Sequence, residues 1–364
     1  MKFEHGIVGR TTDGFFRYQG WPSIACDKDG TLFAVCSGHR LAHICPFGKN
    51  LMYVSRDGGK TWSMPVLVND TYLDDRDAGL ITWGEGDMML TWFNNDASVY
   101  TTEKVYTNNH SPMSLGMREQ WESLDRETEY LVGSWCKVSH DKGFTWEEKS
   151  RCPVSSPHGP VRLKDGRFLY VGTAPRTVSP KELWGTIQAY VSADEGKTWE
   201  HLSQVPHAKE WKNIVMGEPC EPHCVELPNG DLLVAIRAWV EGKIHHYMHT
   251  SIVRSTDGGK SWSEPEVLDD AVGAPAHLLV HSSGAVILSY GKRVQPYGEY
   301  ARISYDNGKS WSEELLLEAA IDSDLGYPAT AELPDGSLVT VYYQKYGSDP
   351  HPSILYTKWA LPER

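Results

Sequence analysis

One motif recurs five times in this chain and constrains its fold more than any other feature. It reads SRDGGKTW at 55–62, SHDKGFTW at 139–146, SADEGKTW at 192–199, STDGGKSW at 255–262 and SYDNGKSW at 304–311. Self-similarity at this scale is the mark of a repeat architecture. Each copy has the chemistry of a hairpin turn. The aspartates Asp57, Asp141, Asp194, Asp257 and Asp306 can accept backbone N–H bonds across the turn. The glycines Gly59, Gly143, Gly196, Gly259 and Gly308 can take positive φ at little steric cost. The closing tryptophans supply a large apolar face at the base of the turn.

A second repeat interleaves with the first. A Pro- or Gly-containing entry leads into an apolar strand, a tight turn and another apolar strand. Copies begin at Trp21, Asp77, His158, Glu221, Pro275 and Tyr327, with the turns KDG, GEG, KDG, PNG, SSG and PDG. These are hairpin signals. No stretch carries a sustained helical period. Six four-stranded units make an all-β, six-bladed β-propeller occupying residues 1–364 as one domain. Unit six has a third strand near Ser353–Trp359. Its fourth strand is expected from residues 2–9, closing the ring. The first two turn motifs are 84 residues apart, against 49–63 for the rest. The excess, at about 94–132, reads as a loop over one face with a short helix around 117–126, a lid or an oligomer contact.

Composition narrows the partners. With 35 basic and 48 acidic residues the formal charge is −13, which argues against nucleic acid and anionic membranes. MKFEHGIVGR has no signal-peptide core, so a cytoplasmic location is expected, with the seven cysteines as free thiols.

Topology locates a pocket. The turn motifs fall on one rim, so the opposite rim carries the starts of first strands and the ends of second strands. That places Trp21, Arg76, Asp77, His158, Glu221, His223, His277 and Tyr327, with Arg40, Arg237, Arg293 and Tyr290, around one opening. Asp77 and Glu221 are a candidate acid/base pair. His158, His223 and His277 begin three successive blades. They could bind sugar hydroxyls, act as acid or base, or hold a divalent metal with Asp77, although no cofactor is required. Trp21 and Tyr290 could stack on a sugar face. The arginines suggest an anionic sugar.

The S-x-D-x-G-x-[ST]-W motifs are Asp boxes, and five of them on a six-unit chain resemble the sialidase superfamily of BNR-repeat proteins. The resemblance implies an exo-acting glycosidase. EPHCVELPNGDLLVAIRA then places Glu221 as the glutamate that activates a tyrosine nucleophile, with Arg237 as a carboxylate-binding arginine. DLGYPATAELPDG places Tyr327 as that nucleophile. AVCSGHR places Arg40 near the acid/base. The chain departs from the pattern at Gly20-Trp21-Pro22, where an arginine belongs, and at VQPYGEYARIS, where a third arginine belongs. It also departs at RLAHICPFG, where the acid/base aspartate is replaced by His43 and Cys45. Asp77 or His43 would then donate the proton. Two other readings stay open: a uronate-cleaving polysaccharide lyase using His158, His223 and Tyr327, and a carbohydrate-binding propeller without catalysis.

Overall fold

The computed structural model describes residues 2–43, 45, 47–95, 131–175, 179–207, 210–211, 214–215, 219–239, 248–268 and 273–363. The 96–130 part of the expected insertion loop, including its short helix, lies outside them.

Strand β1 spans Glu4–Gly9. Blade one follows with β2 (Tyr18–Cys26), β3 (Leu32–Arg40), β4 (Lys49–Ser55) and β5 (Val66–Asn69). Blade two is β6 (Asp74–Trp83), β7 (Asp87–Asn95), β8 (Ser134–Ser139) and β9 (Ser150–Cys152). Blade three is β10 (Val161–Arg162), β11 (Phe168–Thr173), β12 (Ile187–Ser192) and β13 (Glu200–Val205). A small ribbon, β14 (Glu210–Trp211) with β15 (Ile214–Val215), precedes blade four. Blade four is β16 (Cys220–Glu226), β17 (Leu232–Trp239), β18 (Met248–Ser255) and β19 (Glu266–Val267). Blade five is β20 (Ala276–Val280), β21 (Val286–Lys292), β22 (Gly298–Ser304) and β23 (Leu315–Ala319). Blade six is β24 (Gly326–Glu332), β25 (Leu338–Lys345) and β26 (Pro352–Trp359), with β1 antiparallel to β26 as its outer strand.

The fold is thus a six-bladed propeller. Its core is six apolar wedges, one between each pair of neighbouring blades. Strand alternation builds them. On β3, Leu32, Ala34 and Cys36 face blade six, while Phe33 and Val35 face blade two. Both faces are buried, so the strand reads as a continuous apolar run.

The Asp boxes tie the third strand of blades one to five to its neighbour. In the first, Thr61 donates from its backbone to Asp57 Oδ1 (2.9 Å) and from its hydroxyl to Oδ2 (2.6 Å). The Gly59 N–H donates to Ser55 Oγ (2.9 Å). The other four boxes repeat this pattern. Glycine is needed at the fifth position for φ, which is +82° at Gly143, and for space. A Cβ there would lie 2.8 Å from Met52 Cε of the adjoining blade.

Candidate active site

Four blades begin their first strand with a non-glycine residue in the left-handed region: Trp21 (φ 54°), Asp77 (47°), Glu221 (51°) and Tyr327 (53°). Each coincides with a register shift against the second strand. A bulge of this kind re-aims a side chain, and the strained backbone costs on the order of 1–3 kcal/mol per residue. Here four such bulges aim an indole, two carboxylates and a phenol from four blades at the same rim.

The Tyr327 hydroxyl donates to Glu221 Oε1 at 2.5 Å. Arg237, from the end of β17, donates through Nη1 to Glu221 Oε2 and to Tyr327 Oη, the latter at 3.2 Å. Burial pushes the Tyr327 phenol well above its ordinary pKa. The Glu221 charge adds to this, and Arg237, with Arg293, opposes it. The resting tyrosine is therefore protonated, with its proton already directed at a carboxylate. That is the geometry of a nucleophile and its base.

Arg293 extends the cationic wall. Its guanidinium lies 5.6 Å from the Tyr327 ring centre, held by the Leu325 carbonyl and the Tyr343 hydroxyl, both at 2.9 Å. Arg76 lies flat on the Trp21 ring at 4.3 Å and donates to the His43 carbonyl at 3.2 Å. Arg293 thus stands near Tyr327, and Arg76 near Trp21, although the sequence offers no arginine at the two positions where the resemblance requires one.

Arg40 is differently placed. It is wholly buried, with Nη1 2.5 Å and Nη2 2.9 Å from the two oxygens of buried Asp74. Its charge is taken up by Asp74, so it braces blades one and two and does not face a substrate. Trp21 is 1 % exposed, with Arg76 over its ring and Arg40 at 4.9 Å. It forms a floor and offers no face for stacking. Tyr290 is also fully buried, in the wedge between blades four and five, with its hydroxyl on Glu314 and Arg302. The structure does not bring it to the site.

Asp77 is 5 % exposed, and its Oδ1 lies 3.8 Å from Arg76 Nε. Burial raises its pKa from 3.8 to about 6, with Arg76 opposing and Glu221 adding to the rise. The folded state therefore holds this proton more tightly than the unfolded chain. The stabilisation is complete below pH 3.8 and is lost as pH rises through about 6. Asp77→Asn is expected to raise stability at pH 7 by about 2–3 kcal/mol and to give little gain at pH 4. Thermal unfolding of both proteins at the two pH values checks this.

The three histidines come together, but elsewhere. Their ring centres are 4.4–5.3 Å apart. They line a cavity of about 500 Å³ on the propeller axis, whose walls are the later halves of the innermost strands, such as Ile24–Cys26 and Thr330–Glu332. That cavity therefore runs toward the rim opposite Tyr327. His223 Nδ1 accepts the Leu278 N–H (3.0 Å) and His277 Nδ1 accepts the Thr330 N–H (3.3 Å). Burial holds all three below the ordinary histidine pKa, so they are neutral. No group of three His, Cys, Asp or Glu among the described residues is arranged to hold a metal ion.

Sequence reasoning missed Tyr18 and Asp324, which meet beside Trp21. The Tyr18 hydroxyl donates to Asp324 Oδ1 at 2.9 Å and stands 3.2 Å from His43 Nδ1. Nothing local in the sequence links residues so far apart.

The BNR repeat-like domain model matches residues 116–340, and the BNR/Asp-box repeat model matches 53–64. A search of curated proteins found no match. Among solved structures, a protein of unknown function from Dyadobacter fermentans superposes with a TM-score of 0.76 at 21 % identity, covering 99 % of this chain and 98 % of that one. The NanB sialidase from Streptococcus pneumoniae gives 0.63 at 15 % identity, covering 98 % of this chain and 70 % of that one. The Penicillium chrysogenum α-L-arabinanase gives 0.62 at 15 % identity, covering 97 % of each chain. The chain shares the propeller fold of these structures. With a family model spanning more than half its length, the chain belongs to the BNR repeat-like domain family.

Proposed function

We propose that this protein is an exo-acting glycoside hydrolase that removes a terminal acidic sugar by double displacement through Tyr327. The observation that carries the reading is the Tyr327–Glu221–Arg237 chain of hydrogen bonds. Glu221 takes the phenolic proton as the tyrosine oxygen attacks the anomeric carbon, and Arg237 keeps Glu221 oriented. A neutral tyrosine with an adjacent base avoids bringing an anionic nucleophile against an anionic sugar. Arg237 and Arg293 set positive charge beside the reacting oxygen, which suits a carboxylate-bearing substrate.

The leaving oxygen also needs a proton, for which Asp77 and His43 are the candidates. The lyase reading receives no support, because His158 and His223 line the axial cavity. The test is a panel of aryl glycosides that includes sialosides and uronides, with acidic oligosaccharides followed by mass spectrometry and ultraviolet absorbance. Release of an acidic monosaccharide is expected. An unsaturated product absorbing in the ultraviolet would replace hydrolysis with elimination. Binding without turnover across the panel would leave a carbohydrate-binding propeller.

A further inference from the structure

We infer that His43 is the acid/base that delivers a proton to the departing oxygen and later takes one from water, oriented for this by Tyr18 and Asp324. The inference rests on the glycosidase reading above.

His43 follows Arg40 by three residues, on the segment between β3 and β4. The main chain is pinned at His43, whose carbonyl receives Arg40 Nη2 at 2.9 Å and Arg76 Nη1 at 3.2 Å. The imidazole stands edge-on to Trp21, with centres 4.7 Å apart at 87°, and the Trp21 ring centre is 6.4 Å from that of Tyr327. One indole thus separates the imidazole from the nucleophile.

The hydrogen bonds set its tautomer. Tyr18 Oη gives its own proton to Asp324, so toward His43 it acts as an acceptor. His43 Nδ1 must then carry hydrogen, and Asp324 Oδ1 lies a further 3.9 Å from it. Nε2 is left to exchange a proton with solvent or substrate. The His43 side chain is 51 % exposed, whereas Asp77 is 5 % exposed beneath Arg76. The acid/base exchanges its proton first with the aglycone and then with water, and His43 is the more open of the two. Burial, with Arg76 and Arg293, opposes protonation of the ring, while Asp324 favours it; the balance is a pKa below the ordinary 6.5.

The step balances. In the first half, the bond from Tyr327 Oη to the anomeric carbon forms and its proton passes to Glu221. The glycosidic C–O bond breaks, and its oxygen takes the proton from Nε2 of His43 in its imidazolium form, which leaves the neutral Nδ1–H tautomer. In the second half, His43 Nε2 takes a proton from water, whose oxygen bonds to the anomeric carbon. The Tyr327 C–O bond then breaks, and Glu221 returns the proton to the phenolate.

The experiment compares His43→Gln, Asp77→Asn and wild type on two glycosides of whichever sugar the panel identifies. One has an activated nitrophenol leaving group and one an alkyl leaving group. For His43→Gln, a loss of about 10²–10⁴ is expected on the alkyl glycoside, with release of nitrophenol in the first turnover nearly unchanged. The high-pH fall in activity should disappear, and added azide should restore turnover as glycosyl azide. Asp324→Asn should move that high-pH fall to lower pH. Nitrogen NMR of wild type should show the Nδ1–H tautomer at His43. Equal losses on both glycosides, or the leaving-group signature appearing in Asp77→Asn, overturns the assignment. An Nε2–H tautomer overturns it too, whether or not a variant folds. A wild type silent on every glycoside removes the glycosidase reading and this inference with it, whereas an active wild type with an indifferent His43→Gln removes only the inference.

Discussion

Tyr327→Phe is expected to lower kcat/KM by at least about 10³-fold on every glycoside that the wild type cleaves, while the protein stays folded. The change deletes one oxygen and keeps the ring that packs between Trp21 and Tyr343. Glu221 keeps Arg237 as its partner. Glu221→Gln should lose activity to a similar extent, because an amide cannot take the phenolic proton. The two losses should not add, since the residues act as one unit. A fluorinated substrate analogue with a good leaving group should label wild type on the peptide that contains Tyr327 and leave Tyr327→Phe unlabelled. A Phe variant with more than a tenth of wild-type activity would remove Tyr327 from the chemistry.

The second large effect is on stability. Arg40 and Asp74 form a two-pronged ion pair with both side chains fully buried. Removing one partner strands a charge in the interior, which typically costs 3–5 kcal/mol. Asp74→Ala is therefore expected to unfold at markedly lower denaturant, with the loss about 3–5 kcal/mol. An apolar pair, Arg40→Met with Asp74→Leu, should recover much of that loss, because it removes both desolvation penalties at once. Activity should fall in the single variant as well. Arg40 also holds the His43 carbonyl, and Arg76 lies 3.8 Å from Asp74.

Much of this molecule was legible in its sequence, for reasons that differ by part. The propeller was legible because each Asp box is a local device: Asp57 and Gly59 fold their turn from contacts a few residues away, five copies mark the repeat, and the six interleaved hairpins set the count. Glu221 and Tyr327 stood out as residues before proline at blade entries, and the resemblance gave them roles. Their left-handed backbone is what makes those entries special, and the Trp-Pro, Glu-Pro and Tyr-Pro pairs are its only trace in the sequence.

Depth was not legible. His223 is two residues past Glu221, beyond the bulge and further along the axis. Position at the start of a blade therefore grouped Tyr327 and the histidines together, although they serve different openings. Trp21 and Tyr290 were expected to stack on sugar because they lie near the rim. Burial overrides this: one is covered by two guanidinium groups, and the other fills the wedge between blades. Arg40 matched the pattern, but Asp74 claims it. Arg293 was recognisable as a charge and not as a neighbour of Tyr327. Long-range convergence of that kind, like the meeting of His43 with Asp324, depends on how the blades are arranged around the axis.

The pairing of β1 with β26 also bears on synthesis. Within the propeller the ribosome makes β1 before, and its hydrogen-bonding partner β26 after, all the other strands, so β1 emerges with an unsatisfied edge. The terminal sheet cannot zip until every other blade has left the exit tunnel. During that interval the orphan strand is a template for another molecule's β26. The chain therefore carries an inherent route to strand-exchanged dimers, open while translation lasts and shut once the circle is complete.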